Sequence, residues 1–321
     1  MPAIDLVRRI AVWTAWGLTA AVGVFVVARL VGLTDRLSIL FAAATLTIWF
    51  VVPCLVALVA GAVLRTYALV AVDVVLIVVL LVWAAPDLRW WSTPAEVNGP
   101  TTVVASANIA APNPNLERAA QDLLAIDADV MNVLELTPAG QDALRAAGVA
   151  ERYPYRVENP RVGVFGSAIY SRFPLRDTGV LELAGARMAR ATVELPSGPT
   201  TVIAVHTTQP LVDVDALEDQ LDALRSTVEA IEGPVILAGD FNATRQHQPF
   251  RELLEAGFTD AHLATGRGWT ATWPAGSRLP PFALIDHVLV SDDLAVAMVK
   301  DVSITSSDHR AVVATIGRSA P

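Results

Sequence analysis

The sequence has one cysteine, Cys54, among its 321 residues. A disulfide within the chain is therefore impossible, and cysteine usage leaves the compartment undefined. No Cys or His pair has ligand spacing, so nothing resembles a zinc site. Basic charge is scarce in the larger part of the chain. Of 23 Lys+Arg, 6 precede residue 92, leaving 17; of 32 Asp+Glu, 4 do, leaving 28, a balance of −11. A domain this acidic lacks the basic footprint of a nucleic-acid binder. An anionic lipid surface would repel it unless metals or local Arg residues intervene. There is no internal repeat and no low-complexity segment.

Apolar residues are abundant, at 54% with a mean hydropathy of +0.49, too much for one soluble domain. The excess lies at the front, in three stretches at 10–31, 39–64 and 67–85. Each is near the roughly 20 residues that a membrane-spanning helix needs. Three in succession, with no small-residue cleavage site after a short apolar core, argue for spanning helices rather than a signal peptide. Arg29 can snorkel from a helix end. Asp73 falls early in the third stretch, where a bland interfacial role is expected. Arg8, Arg9 and Arg65 favour a cytoplasmic N-terminus, against Arg29, Arg36 and Arg89 on the other side. Three crossings then give an integral plasma-membrane protein with an extracytoplasmic C-terminal domain. Trp90 and Trp91 resemble interfacial anchors.

Residues 92–100 hold two Pro, one Gly and small polar residues, and read as a linker. The expected division is a membrane domain at 1–91, the linker, and a domain at 101–321. About 220 residues suffice for one well-buried core. Strands are expected at 101–107, 130–134, 167–170, 191–195, 201–205, 235–238, 284–290 and 311–316, and helices at 116–125, 138–147, 214–230 and 249–256. Interleaved strands and helices imply two sheets faced by helices.

The apolar run 235–238 leads through Gly239 to Asp240 and Asn242, which point the same way because strand side chains alternate. Asn108, Glu135, His206, Asp286, Asp308 and His309 also lie at or beside the ends of expected strands. Acidic groups and an amide can build an oxygen-rich Mg²⁺ site, and imidazoles can bond a phosphoryl oxygen or relay a proton. An Asp can orient one of them. This chemistry suits hydrolysis of a phosphate ester.

The ordered pieces are Ser106-Ala107-Asn108, Val133-Leu134-Glu135, Gly166 to Pro174 (Gly-Ser-Ala-Ile-Tyr-Ser-Arg-Phe-Pro), Val205-His206-Thr207, Gly239-Asp240-Phe241-Asn242, Ile285-Asp286-His287-Val288 and Ser307-Asp308-His309-Arg310. Together they resemble the endonuclease/exonuclease/phosphatase (DNase I-like) superfamily, in a membrane-anchored bacterial-type form, over roughly 101–316. The resemblance implies a four-layered α/β sandwich, two packed mixed sheets flanked by helices. It also implies Glu135 as main metal ligand, supported by Asn108, with Asp308 at the metal edge. It further implies that His206 contacts the scissile phosphate, Asp240 positions or deprotonates water, and Asn242 holds a phosphate oxygen. Asp286 would orient His309, which stabilises the transition state. The implied cofactor is Mg²⁺, with Mn²⁺ as alternative. The implied partners are a phosphoester, whether lipid head group, inositol phosphate or nucleic acid, and the membrane through the N-terminal helices. Leu134 stands where the family often has Gln, and Thr207-Thr208 where Thr-Leu is common.

Outside these motifs, His247 and His262 read as surface or helix-flanking residues, and His287 as structural. Arg172 and Arg190 read as holding active-site loops or as solvated. Trp269 and Trp273 occupy a Gly/Pro-rich loop, 266–281, expected to border the cleft, where aromatics could stack on a ring or lie against lipid. The competing reading is a non-catalytic phosphate-binding or sensory module on the same fold.

Overall fold

The computed structural model describes residues 2–88 and 90–320. It resolves into two compact units that meet in sequence at Pro86 and Asp87.

The first unit is helical: α1 (Pro2–Leu30), α2 (Ser38–Ala44), a 3₁₀ turn (Thr47–Phe50), α3 (Val51–Val63) and α4 (Tyr67–Ala84). Two helices are long and apolar enough to cross a bilayer, Asp5–Leu30 and Tyr67–Ala84. The middle stretch is not the single helix expected. It bends by 81° between Ser38–Ala44 and Thr47–Val63, and counts as a third span only if the bent pair is one. Pro53 lies in the first turn of α3, where its missing N–H costs nothing; further along a continuous helix it would clash with the turn before it. Asp73 is buried within this unit, accepting from Thr19 Oγ1 at 2.9 Å.

The second unit carries the remaining elements. In chain order they are β1 (Val97–Asn108), α5 (Leu116–Ile126), β2 (Val130–Leu134), α6 (Pro138–Ala146), α7 (Val149–Arg152), β3 (Tyr155–Asn159), β4 (Ser167–Ser171), β5 (Leu175–Leu183), β6 (Ala186–Leu195) and β7 (Gly198–His206). There follow α8 (Val214–Glu229), β8 (Val235–Asp240), α9 (Gln248–Glu255), β9 (Phe258–Asp260), α10 (Ala261–Ala264), β10 (Asp286–Ser291), β11 (Leu294–Ser303) and β12 (Arg310–Ser319). Two six-stranded mixed sheets result, ordered β11-β12-β1-β2-β4-β3 and β5-β6-β7-β8-β10-β9. This is the α/β sandwich expected.

Alternation along the strands builds the layers. Val104 and Val130 face the second sheet and join Val202, Ile236 and Val288 in one core cluster. Their neighbours Ala105 and Met131 face outward and pack with Leu123 of α5 and Leu144 of α6. Both faces of β2 are thus covered, so its run is continuously buried. One polar residue interrupts it. Asn132 is fully buried, and its Nδ2 donates to Ile203 O (3.2 Å) and Ala238 O (3.0 Å), tying the sheets together.

The strands absent from the sequence reading, β3, β5, β9 and β11, are edge strands or hairpin partners. β3 reads Tyr-Arg-Val-Glu-Asn and is only partly buried, so the apolar signal is missing. β1 begins at Val97, inside the stretch read as a linker, where Val97 and Asn98 pair with Ser319 and Arg318. Pro100 sits in the register shift that follows, where no ladder N–H is required.

Candidate active site

The parallel pairs β1/β2 and β7/β8 set the site. Their registers place Asn108 beside Leu134 and His206 beside Asp240, and antiparallel β10 places Asp286 opposite Asp240. The C-terminal ends of four strands therefore open at one end of the sandwich. Two glycines permit the close approach. A Cβ on Gly239 would lie 1.8 Å from Val205 O, and one on Gly166 would lie 1.9 Å from Leu136 O. Each glycine sits next to the turn that carries a site residue, so the Gly of each motif is a packing requirement.

The amide of Asn108 is the hub. Its Nδ2 donates to Glu135 Oε1 at 3.0 Å and to Asp240 Oδ2 at 3.1 Å, while its Oδ1 accepts from Ala110 N at 3.0 Å. Glu135 Oε2 accepts from Ala111 N at 2.6 Å. Glu135 and Asn242 have φ of 54° and 47°, the left-handed region that non-glycine residues seldom adopt, and strain of this kind concentrates at functional sites. Both residues lie one or two positions past a strand end, where the chain must turn sharply.

Two imidazoles face the same carboxylate oxygen. His206 Nε2 lies 3.7 Å from Asp240 Oδ2 and 3.9 Å from Glu135 Oε1. His309 Nε2 also lies 3.7 Å from Asp240 Oδ2. The far nitrogens fix the rings. His206 Nδ1 donates to Val164 O at 3.0 Å. His309 Nδ1 donates to Asp286, 2.9 Å from Oδ2 and 3.1 Å from Oδ1. Burial opposes a charge on His309, but the carboxylates of Asp286 and Asp240 outweigh it and push the imidazole up to about 10. Burial pushes the Asp286 carboxyl up, against the pull of His309. The proton of this pair belongs on His309.

All eight candidate residues thus lie at one end of the sandwich, though not equally close. Asn242 donates from Nδ2 to Thr207 O at 3.0 Å and from its backbone N to Asp240 Oδ1 at 2.9 Å. Asp308 is the outlier. Its side chain is 58% exposed, 3.9 Å from His309 Nε2, and its Oδ2 accepts from Trp273 Nε1 at 3.2 Å. That indole contact puts the 266–281 loop at the site, as expected.

Several supports carry no sequence signal. Thr272 Oγ1 accepts from the backbone N of Ile285 and of Asp286. Ser307 Oγ donates to Asn108 O at 2.7 Å and accepts from His309 N, tying the end of β1 to the turn before β12 within one sheet. Ser307 belongs to the quoted Ser-Asp-His-Arg piece, but nothing in that spacing reveals its bond to Asn108.

Other expectations are corrected. His247 and His262 are fully buried rather than on the surface, while His247 does flank a helix, immediately before α9. His262 Nε2 meets Asp301 at 2.9 Å. Arg172 holds no active-site loop: it pairs with Asp127 and Asp129, which precede β2 at the opposite end of the sheet. His287 is structural, as expected. Its Nδ1 meets Asp260 at 2.5 Å and its Nε2 donates to Ala243 O at 3.1 Å.

The donor chemistry fits a hard divalent cation at Glu135, whose carboxylate oxygens suit Mg²⁺, and the second unit has no cysteine. Asn108 turns its amide nitrogen to that carboxylate and supports it from beside. Asp240, Asp286 and His309 also bring one potential ligand atom each within 4.8 Å of one another. Within this second grouping His309 Nδ1 is already held by Asp286, which suits the imidazole to acid–base work.

The family described as Endonuclease/Exonuclease/phosphatase matches residues 105–309, and the chain belongs to it. Solved structures agree on the fold. One is an endonuclease/exonuclease/phosphatase from Beutenbergia cavernae, 20% identical, with a TM-score of 0.56 over 69% of this chain and 72% of that one. Another is humanized D. rerio TDP2, 17% identical, with a TM-score of 0.59 over 68% and 99%. A third is the Neisseria 3′ phosphatase NExo bound to product DNA hairpin, 20% identical, with a TM-score of 0.53 over 66% and 98%. No curated protein matches. The chain is thus a member of a phosphoester-hydrolase family.

Proposed function

We propose that the chain is a membrane-anchored, Mg²⁺-dependent phosphohydrolase that cleaves a phosphoester by attack of water. The observation that carries this reading is the single amide of Asn108 bonded to both Glu135 and Asp240, with two imidazole Nε2 atoms 3.7 Å from the same Asp240 oxygen.

Glu135, with Asn108 beside it and Asp308 at the edge, would hold the cation. When bound, the metal would supply Lewis-acid stabilisation of charge on the phosphoryl oxygens. The chain's own groups do the rest. Asp240 accepts a hydrogen from the attacking water and orients it. His309, kept protonated by Asp286, donates from Nε2 to the phosphoryl group as its charge grows. His206, aimed by the Val164 carbonyl, contacts a second phosphate oxygen. Asn242 has one N–H left after its bond to Thr207 O, and offers it to a third. Mn²⁺ fits the same oxygen donors.

Anchoring is supported by the two long apolar helices and the bent pair. With three crossings, an N-terminus held inside by Arg8 and Arg9 would leave the catalytic unit outside the plasma membrane, although Arg29, Arg36 and Arg89 offset much of that bias. The test uses the purified full chain, a generic soluble phosphodiester and Mg²⁺. Turnover by wild type that falls at least about a hundredfold in Glu135→Ala is expected; equal slow rates for both would end this reading. Protease access to the C-terminal unit in intact cells reads its side directly.

A further inference from the structure

We infer that the catalytic end of the second unit docks on a lipid bilayer, and that the substrate is a phosphodiester lipid of that bilayer. This rests on the phosphohydrolase reading and narrows its substrate class.

The first observation is where apolar side chains are left in water. Among the described residues from Asp87 onward, ten large apolar side chains are exposed. Six of them, Val162, Val164, Leu211, Val212, Trp269 and Leu279, stand on three loops at the catalytic end. Val162 is 94% exposed, Val212 74% and Leu279 63%. These loops border the chemistry. The first supplies the Val164 carbonyl to His206, the second follows Thr207 and Thr208, and the third packs on Asp308 through Ala275 N and Trp273. Exposed apolar residues gathered on separate loops around one opening mark a surface that meets apolar matter.

The second observation is charge. The unit is strongly acidic and its cleft holds Glu135, Asp240 and Asp286, but the loops around that cleft do not share the acidic excess. The loops 109–115, 160–166, 207–213, 241–247, 266–285 and 304–309 hold four Arg and two Asp. Two of the arginines, Arg161 and Arg278, are exposed and immediately precede the tips Val162 and Leu279. A guanidinium beside an apolar tip suits a lipid surface, the tip entering among acyl chains and the cation meeting phosphates. Nucleic acid needs the cation without the bare valines and leucines.

The third observation is the tether. The candidate span α4 ends at Ala84, and the chain is fixed to the catalytic end of the second unit almost at once. Asp87 lies 3.2 Å from the Arg245 guanidinium and accepts from Gln246 at 2.5 Å, both on the loop that follows Asn242. The backbone of Trp90 and Ser92 crosses so close to the 266–281 loop that a Cβ on Gly266 would lie 3.0 Å or less from their oxygens. Trp90 and Trp91, two more of the ten exposed apolar residues, flank this attachment.

In the reaction, water oxygen bonds to phosphorus and the P–O bond to the lipid alcohol breaks. That alcohol takes up a proton and stays in the bilayer, while the head-group phosphomonoester leaves.

The test uses the full chain in phosphatidylcholine nanodiscs with Mg²⁺. Wild type is compared with the triple variant Val162→Glu, Val212→Glu, Leu279→Glu, whose sites are exposed and outside the proposed machinery. Rates are read on the nanodisc lipid and on a soluble phosphodiester. The proposal expects lipid hydrolysis by wild type, reduced about tenfold or more in the variant, with the soluble rate within about twofold. Equal loss on both substrates, unchanged lipid hydrolysis, or cleavage of added DNA in place of lipid overturns it and leaves the hydrolase reading standing. No turnover of the soluble diester sinks the hydrolase reading, and the substrate half of this inference with it. The docking half has a readout free of catalysis. Val162→Cys carries an environment-sensitive dye, Cys54 being buried. Brominated lipid is expected to quench the dye, and unquenched emission overturns docking.

Discussion

His309 Nδ1 lies 2.9 Å from Asp286 Oδ2, although the two residues belong to different sheets: Asp286 opens β10, and His309 precedes β12. The bond crosses the sandwich at its open end and turns Nε2 of His309 towards Asp240.

Asp286→Asn removes the charge that holds the proton on His309. The His309 pKa then falls from about 10 towards the ordinary imidazole value. Activity that needs the imidazolium is present below the pKa and lost above it, so the alkaline limb of the pH–rate profile moves to lower pH. A loss of about a hundredfold or more in kcat at neutral pH is expected, by analogy with other buried Asp–His pairs. A drop in rate with an unmoved alkaline limb contradicts the assignment.

Glu135 combines a functional carboxylate with a left-handed backbone. Glu135→Gly and Glu135→Ala both abolish the carboxylate, but only glycine relieves the strain. The glycine variant is expected to be more stable than the alanine variant by about 1 kcal/mol. Urea midpoints of the two inactive proteins measure the difference; equal midpoints show that the turn is unstrained.

Gly239→Ala places a methyl group on Val205 O, which β7 cannot yield without separating from β8. That separation moves His206 away from Asp240, its register partner. Destabilisation of at least about 3 kcal/mol, or failure to accumulate folded protein, is expected. A stable, fully active variant excludes the close strand approach.

The buried Asp260–His287 pair makes stability depend on pH. Burial works against the charge on Asp260, but His287 holds its carboxyl down at about 2. This contribution is full above about pH 4 and is lost as pH falls towards 2. For His287 burial opposes the charge and Asp260 raises the pKa above the ordinary value. That contribution is full below about pH 6.5 and is lost as pH climbs through the raised value. Unfolding free energy should peak between these limits. In His287→Gln the carboxylate loses its nearest buried counter-charge, at a cost of about 3–5 kcal/mol, and the part of the alkaline decline that His287 contributes should vanish, leaving that of His309. Denaturant titrations across the pH range check both parts.

The sequence by itself determined the family, the order of the motif pieces and the strands that carry them. Those strands are buried on both faces and therefore read as continuous apolar runs, as in Val130–Leu134 and Val235–Asp240. Edge strands such as Tyr155–Asn159 were illegible because they are only partly buried, so the continuous apolar run is missing. The break at Thr47–Phe50 was equally hidden, since hydropathy counts residues without seeing a helix turn. Only the tertiary structure decided that one Asn108 amide serves two carboxylates and that Ser307 holds the Asn108 carbonyl. It alone placed Arg172 at the far end and the buried His262 and His247 inside. These are long-range relations set by sheet register and turn geometry, and side-chain contacts across nearly two hundred residues have no local pattern to betray them.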